Sequence, residues 1–333
     1  MSQMLLSPFR SNQFSASLLL IFYVAALQVP AIWSERLGLL INDSGASVFG
    51  QWLGNWTSWP TYIQYLTTVA ILFATAVAVN RLCEKDKLGA NNTQLPGLFY
   101  SLMASYVAAF FPPSSMHLAN LLLLISLFPF LNLYKHQKPV VPLFWSGWWL
   151  GLAFLVNTYY LIFLAAAIFA LPILQKTNFR RVLQLISGWI APIFFLFCRD
   201  YLFDADRDFI ASLWNGVGLP TMGFSEGYWT SAGLIVLGIC LVWVFISRSS
   251  LVSRLQTDGR YKIQVLYAIL IFAVLSHLLQ DTVSAASVQI VVLPLGMLLG
   301  LALSGVERSR AESTHYLLIG VFLGIQLIPF YLR

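Results

Sequence analysis

Apolar residues run along the chain in blocks of roughly 17–22, divided by short polar loops, and about 20 such residues span a bilayer as a helix. Backbone amides in lipid must bond within their own segment, so each block predicts a helix and not a strand or loop. Eleven blocks can be placed, over residues 14–33, 61–79, 95–111, 117–134, 141–156, 158–174, 183–200, 228–247, 263–281, 286–303 and 316–332. The fifth and sixth form one apolar stretch, 141–174, interrupted near its middle by "NTYY" (Asn157 to Tyr160). It is too long for one span and short for two, which predicts a tight or partly re-entrant helical hairpin.

Composition moves the reading from helical to membrane-embedded. Hydrophobic residues make up 59% of the chain and the mean hydropathy is +0.76, against an apolar share of roughly 45–50% in soluble domains. The expected fold is all-α, a polytopic transmembrane bundle forming one integral membrane domain over 1–333. The net charge of +6 does not point to nucleic acid, because Lys and Arg sit in short loops between apolar blocks. That is the signature of membrane orientation. With the N-terminus in the cytoplasm and eleven crossings, fifteen of the nineteen Lys and Arg fall inside, and only Arg36, Arg199, Arg207 and Arg333 fall outside. Merging 141–174 into one span would move the basic loops that follow it outside. The first block follows "MSQMLLSPFRSNQF" and ends in "QVPAIWSERL" without a small-residue cleavage site, so it reads as a retained helix. Membrane lipids are therefore the first expected partners.

The same topology puts eight of the thirteen acids outside, a bias that orientation does not require. Four of them lie in "RDYLFDADRD" (199–208), at the start of an acidic outer loop, 201–227. Asp204, Asp206 and Asp208 alternate like the start of a calcium loop, but the positions that need Gly and a bidentate Glu hold Phe209 and Asn215. One outer cluster also fails the pattern of two cytoplasmic aspartate motifs that hold diphosphate in membrane prenyltransferases. The stretch reads as a hydrated loop in which Arg199 and Arg207 pair with neighbouring aspartates. No metal or cofactor is expected. Cys83, Cys198 and Cys240 occupy different blocks without metal spacing, and no Walker, GxSxG, HExxH or CxxC motif occurs.

Ionisable groups within the blocks are functional candidates by default. His277, Gln280 and Asp281 in "SHLLQDT" have the spacing that puts them on one face at the outer end of the ninth helix. His277 and Asp281 could form an acid–base pair or a proton relay. Ser114 and Ser115 read as an N-terminal cap with His117 incidental, and Asn120, Asn157 and Gln289 as interhelical hydrogen bonders. Pro129, Pro172, Pro192 and Pro294 interrupt helices, without convincing inverted repeats.

Several stretches go beyond generic membrane patterning. "WWLGLAFLVNTYYLIFLAAAIFALPIL" (Trp148 to Leu174), then "QKTNFRR" and "VLQLISGWIAPIFFLF", resembles a segment of multi-pass GT-C glycosyltransferases, as does "FFPPSSMHLANLLLLISLF" (Phe110 to Phe128) upstream. The likeness covers about 90 residues of Gly, Leu and Pro patterning. The chain as a whole, with "QLPGLFYSLMASY", is similar to a family of short bacterial polytopic inner-membrane proteins, which supplies no activity. The GT-C resemblance implies a GT-C-like core and transfer from a polyprenyl-phosphate-linked sugar at the outer face of a bacterial inner membrane. Its general base would be an acid of the first outer loop, 34–60, where Asp43 in "INDSG" fits better by position than Glu35. His277 and Asp281 would line the same cavity. Trp56, with Trp33, Trp52 and Trp59, would stack on sugar or form an interfacial belt. "GQWLGNWTSW" predicts an amphipathic helix on the outer surface. The chain departs from the family in lacking paired acids in that loop and an outer domain after the last helix. Two other readings stay open: a non-catalytic partner of another membrane protein in envelope assembly or secretion, and a transporter.

Overall fold

A computed structural model of the chain describes residues 6–10, 14–33, 45–47, 49–50, 59–89, 91–134, 139–175, 177–203, 213–214, 216–218, 220 and 227–331. These residues form an all-α protein, with isolated β-bridges but no strand among them. The helices are α1 (Phe14–Trp33), α2 (Thr61–Lys85), α3 (Leu95–Met103), α4 (Ser115–Leu131), α5 (Val140–Val156), α6 (Ile162–Leu174), α7 (Phe179–Leu202), α8 (Tyr228–Ile246), α9 (Arg248–Ser253), α10 (Thr257–Leu275), α11 (Gln289–Ser304) and α12 (Arg308–Tyr331). Among the described residues, six helical stretches are long and apolar enough to cross a membrane, namely α2, α7, α8, α12, and α10 and α11 with their adjoining 3₁₀ turns. The protein is a helical membrane protein.

Eleven of these helices correspond to the eleven apolar blocks, and α9 is a short addition in the loop after α8. Several boundaries differ from the sequence reading, and three of these differences change it. The block at 95–111 is not one helix: α3 ends at Met103, and an irregular path with a 3₁₀ turn at Ala108–Phe110 follows. Irregular backbone at membrane depth persists only where protein satisfies it. Here Gln326 Nε2 donates to the Tyr106 carbonyl and Gln28 Nε2 to Ser105 Oγ, while Tyr106 Oη donates to the Leu318 carbonyl. The last helix begins at Arg308, so "ERSRAE" belongs largely to its first turns and not to a loop. The helix predicted to run through 281 stops at Leu275.

All sixteen residues of α11 are buried, which makes it the centre of the bundle. Glycines set its closest approach. An ideal Cβ on Gly296 would lie 2.5 Å from Tyr100 Cα, and one on Gly300 would meet Pro96, so α11 and α3 pack backbone to backbone. Gly147 and Gly151 of α5 face the Leu185 and Trp189 carbonyls of α7, and Gly188 of α7 faces the Phe144 carbonyl. Without a hydrophobic driving force between helices in lipid, small residues at i and i+4 allow dispersion contacts to hold them. The outward side of α7 is apolar and aromatic, with Phe194, Phe195 and Tyr201 exposed, as a face against acyl chains requires.

Helix ends gather at two opposite poles. At the basic pole, Lys262 bonds Asp86, the Arg10 guanidinium bonds the Val306 carbonyl, and Tyr134 stacks on Tyr261. At the other, several loops cross one another.

Candidate functional site

The crossing is built from the polar break between α5 and α6. Val156 ends α5, and Asn157 turns the backbone to an extended conformation. Its Oδ1 accepts from Tyr159 N at 3.1 Å, starting the 3₁₀ turn Thr158–Leu161, and its Nδ2 donates to Ser115 Oγ at 2.9 Å. The strand-like segment 45–47 lies against this break, with Thr158 N donating to the Gly45 carbonyl and Ser47 N to the Val156 carbonyl. Gly45 and Gly216 both have φ of +76°, a conformation open to glycine at no steric cost. A Cβ on Gly216 would lie 2.9 Å from Tyr159 Oη and 3.3 Å from Gly45 Cα. Two loops far apart in sequence thus cross over the Tyr159 ring, and a side chain at either glycine would hold them apart.

The second of these loops then joins the end of α10. Asp281 N donates to the Gly216 carbonyl at 3.0 Å and Gly218 N to the Leu279 carbonyl at 3.1 Å, around a bridge between Val217 and Gln280. Segments 45–47, 156–160, 216–218 and 279–281 therefore meet at one pole. Buried polar atoms without hydrogen-bond partners among the described residues collect here: Ser47 Oγ, Thr158 Oγ1 and both amide atoms of the fully buried Gln280. A buried amide with neither end satisfied costs roughly 1–3 kcal/mol per group, so these atoms call for polar partners.

Beneath it runs a closed network. Ser114 Oγ donates to Gln289 Oε1 at 3.1 Å and lies 2.9 Å from His117 Nδ1. Asn120 Nδ2 donates to the Gln289 carbonyl, and Tyr160 Oη donates to Asn120 Oδ1 at 2.8 Å. Asn120, Asn157 and Gln289 are thus interhelical hydrogen bonders, as their positions predicted. The serines are not caps in the expected sense: Ser114 is the N-cap residue of α4 but makes no capping bond. Both hydroxyls serve tertiary bonds, and His117, fully buried, is a structural member of the network rather than incidental.

Beside the junction, α8, α10 and α11 leave an apolar groove of about 280 Å³, walled by Leu237, Leu241, Val291 and Leu295 and floored in part by Gly238. His277 stands at its junction end, with Nδ1 3.1 Å from the Val274 carbonyl. Because α10 stops at Leu275, His277 lies in a 3₁₀ turn, Ser276–Leu278, and Gln280 and Asp281 in the segment beyond it. The three do not share one face of a continuous helix, as their spacing predicted. His277 faces the groove, while Gln280 and Asp281 belong to the loop crossing, where Asp281 Oδ1 accepts from Thr282 Oγ1.

Asp43, Trp56 and the aspartates 204, 206 and 208 lie outside the described residues. Trp59 is described and partly exposed. Among the described residues no group of His, Cys, Asp or Glu could hold a metal ion. The sequence reading missed Tyr159, Gly45 and Gly216 as the pivot of the junction, although glycines in "DSGAS" and "NGVG" were signals of positive φ.

No family model, curated protein or solved structure matches the chain. The groove and the junction therefore carry the functional argument alone.

Proposed function

We propose that the protein is a multi-pass membrane protein that binds a lipid-linked substrate at the outer face, its chain in the α8–α10–α11 groove and its polar head at the loop junction. The supporting observation is the continuity of an apolar groove, His277 at its end, and a set of buried polar atoms just beyond. A lipid tail gains little by leaving the bilayer for such a groove, since both are apolar. Selectivity must then come from the head, where Gln280 offers both a donor and an acceptor and His277 a second polar contact.

In this reading the chemistry is transfer from a polyprenyl-phosphate-linked sugar by a GT-C-like core in a bacterial inner membrane. Asp43 is the base that takes the acceptor's proton, Trp56 stacks on sugar, and His277 and Asp281 bind the donor head. A transporter would need a polar path through the middle, whereas the centre of the described bundle is α11, buried along its whole length. An assembly partner would need neither groove nor junction. A photoreactive polyprenyl phosphate tests the proposal: in liposomes it should label α8 and α11 around Leu237 and Val291. Labelling spread evenly over all lipid-facing helices would overturn it.

A further inference from the structure

The basic pole carries a second cavity, of about 500 Å³, between the end of α2 and the corner where α9 meets α10. It lies at the opposite pole from the junction and does not depend on the function proposed for it. The turn after α2 begins at Asp86, whose buried carboxylate takes Lys262 Nζ at 2.6 Å. Lys87 follows with φ of +51°, and among the described residues no other non-glycine residue has positive φ. Helices commonly end on a residue in this conformation, but it is usually glycine. Here the position presents a lysine side chain to the cavity, and strained backbone of this kind concentrates at functional sites.

From the facing wall comes Arg254, steadied by one bond from Nη1 to the Gly305 carbonyl. Lys85 is also on the wall, its Nζ 5.5 Å from the Phe128 ring centroid. The cavity's acids are accounted for in part by other roles. Asp86 is held by Lys262, and Asp258 sits in the first turn of α10, where it offsets the positive end of the helix dipole. Glu84 also lines the cavity. Among the described residues neither Lys87 nor Arg254 has a carboxylate within ion-pair distance. Two cations thus line one cavity, Lys87 carried on a left-handed backbone position and Arg254 bonded to a carbonyl, in a space of ordinary ligand-site size.

We propose that this cavity binds a phosphate group between Lys87 and Arg254, carried by an anionic lipid headgroup or by a soluble phosphoester. Basic pockets between helices at a membrane surface recognise such headgroups through paired cations.

The experiment uses the full chain purified with phosphatidylglycerol or phosphatidylcholine and reads retained lipid by native mass spectrometry, with glycerol phosphate and inorganic phosphate as competitors. Phosphatidylglycerol should be retained in preference to phosphatidylcholine. Lys87→Gly, which removes the charge and relieves the backbone, and Arg254→Gln should each weaken retention about fivefold (about 1 kcal/mol), and Lys87→Arg should restore it. Displacement by millimolar glycerol phosphate would assign the site to soluble phosphoesters, and resistance to it would assign the site to lipid. In that soluble case the same variants should weaken glycerol phosphate binding by the same factor. Equal retention of both lipids with no measurable phosphate binding would overturn the proposal. So would an equal loss from Arg310→Gln, whose side chain is exposed outside the cavity, because binding would then follow diffuse surface charge.

Discussion

Glycines at two places in the bundle should respond to the same substitution with opposite signs. Gly238 lies in α8 on the groove, and a Cβ built there meets nothing within 4 Å. Glycine inside a helix costs roughly 0.5–1 kcal/mol relative to alanine, so Gly238→Ala should leave the protein as stable or raise its stability by up to that amount. At Gly296 a Cβ would sit 2.5 Å from Tyr100 Cα, against backbone and not against a flexible side-chain end. Helices α3 and α11 must separate to admit it, and overpacking of this kind costs about 1–3 kcal/mol. Thermal unfolding in detergent reads both. The groove adds a functional arm: Gly238→Phe should fill the cavity without clashing at Cβ. Labelling by the photoreactive polyprenyl phosphate should then fall more than tenfold, or about 1.4 kcal/mol, with thermal stability unchanged. A well-folded Gly238→Phe protein that labels as strongly as the parent would refute the groove as the lipid site. A Gly296→Ala protein as stable as the parent would refute the argument that α3 and α11 pack backbone to backbone.

If the protein is a transferase, Asp43→Asn should lower its rate about 10²–10⁴-fold with folding intact; a rate within threefold of the parent would remove Asp43 as the base. A cysteine placed at Arg254 should react with an impermeant thiol reagent only after permeabilisation, and one placed at Glu226 without it, and the reverse pattern would invert the proposed orientation. Tyr160→Phe removes the donor to Asn120 Oδ1; interhelical hydrogen bonds in membranes average about 0.6 and reach about 1.7 kcal/mol. Unfolding should register a loss in that range, and no loss would mean that the network is not closed through Tyr160.

The hydrophobic pattern alone was enough to define an all-helical membrane protein, because the absence of water in the bilayer leaves the backbone few options. It also located the break at Asn157, since four polar residues within a 34-residue apolar stretch have no other reading. Asn120 and Gln289 were legible for the same reason: amides in an apolar block must find partners on another helix. What hydropathy could not reveal was where helices stop inside apolar sequence. Residues 95–111 read as one block, yet α3 ends at Met103, where Gln326, Gln28 and the Leu318 carbonyl from distant segments bond the irregular path at Ser105 and Tyr106. The predicted face of His277, Gln280 and Asp281 failed in the same way, since the Val217–Gln280 bridge draws the chain out of the helix. The junction itself was beyond reach of the sequence. Gly45, Tyr159 and Gly216 are separated by more than fifty residues each, and only the crossing of their loops, with no Cβ to keep them apart, makes them neighbours.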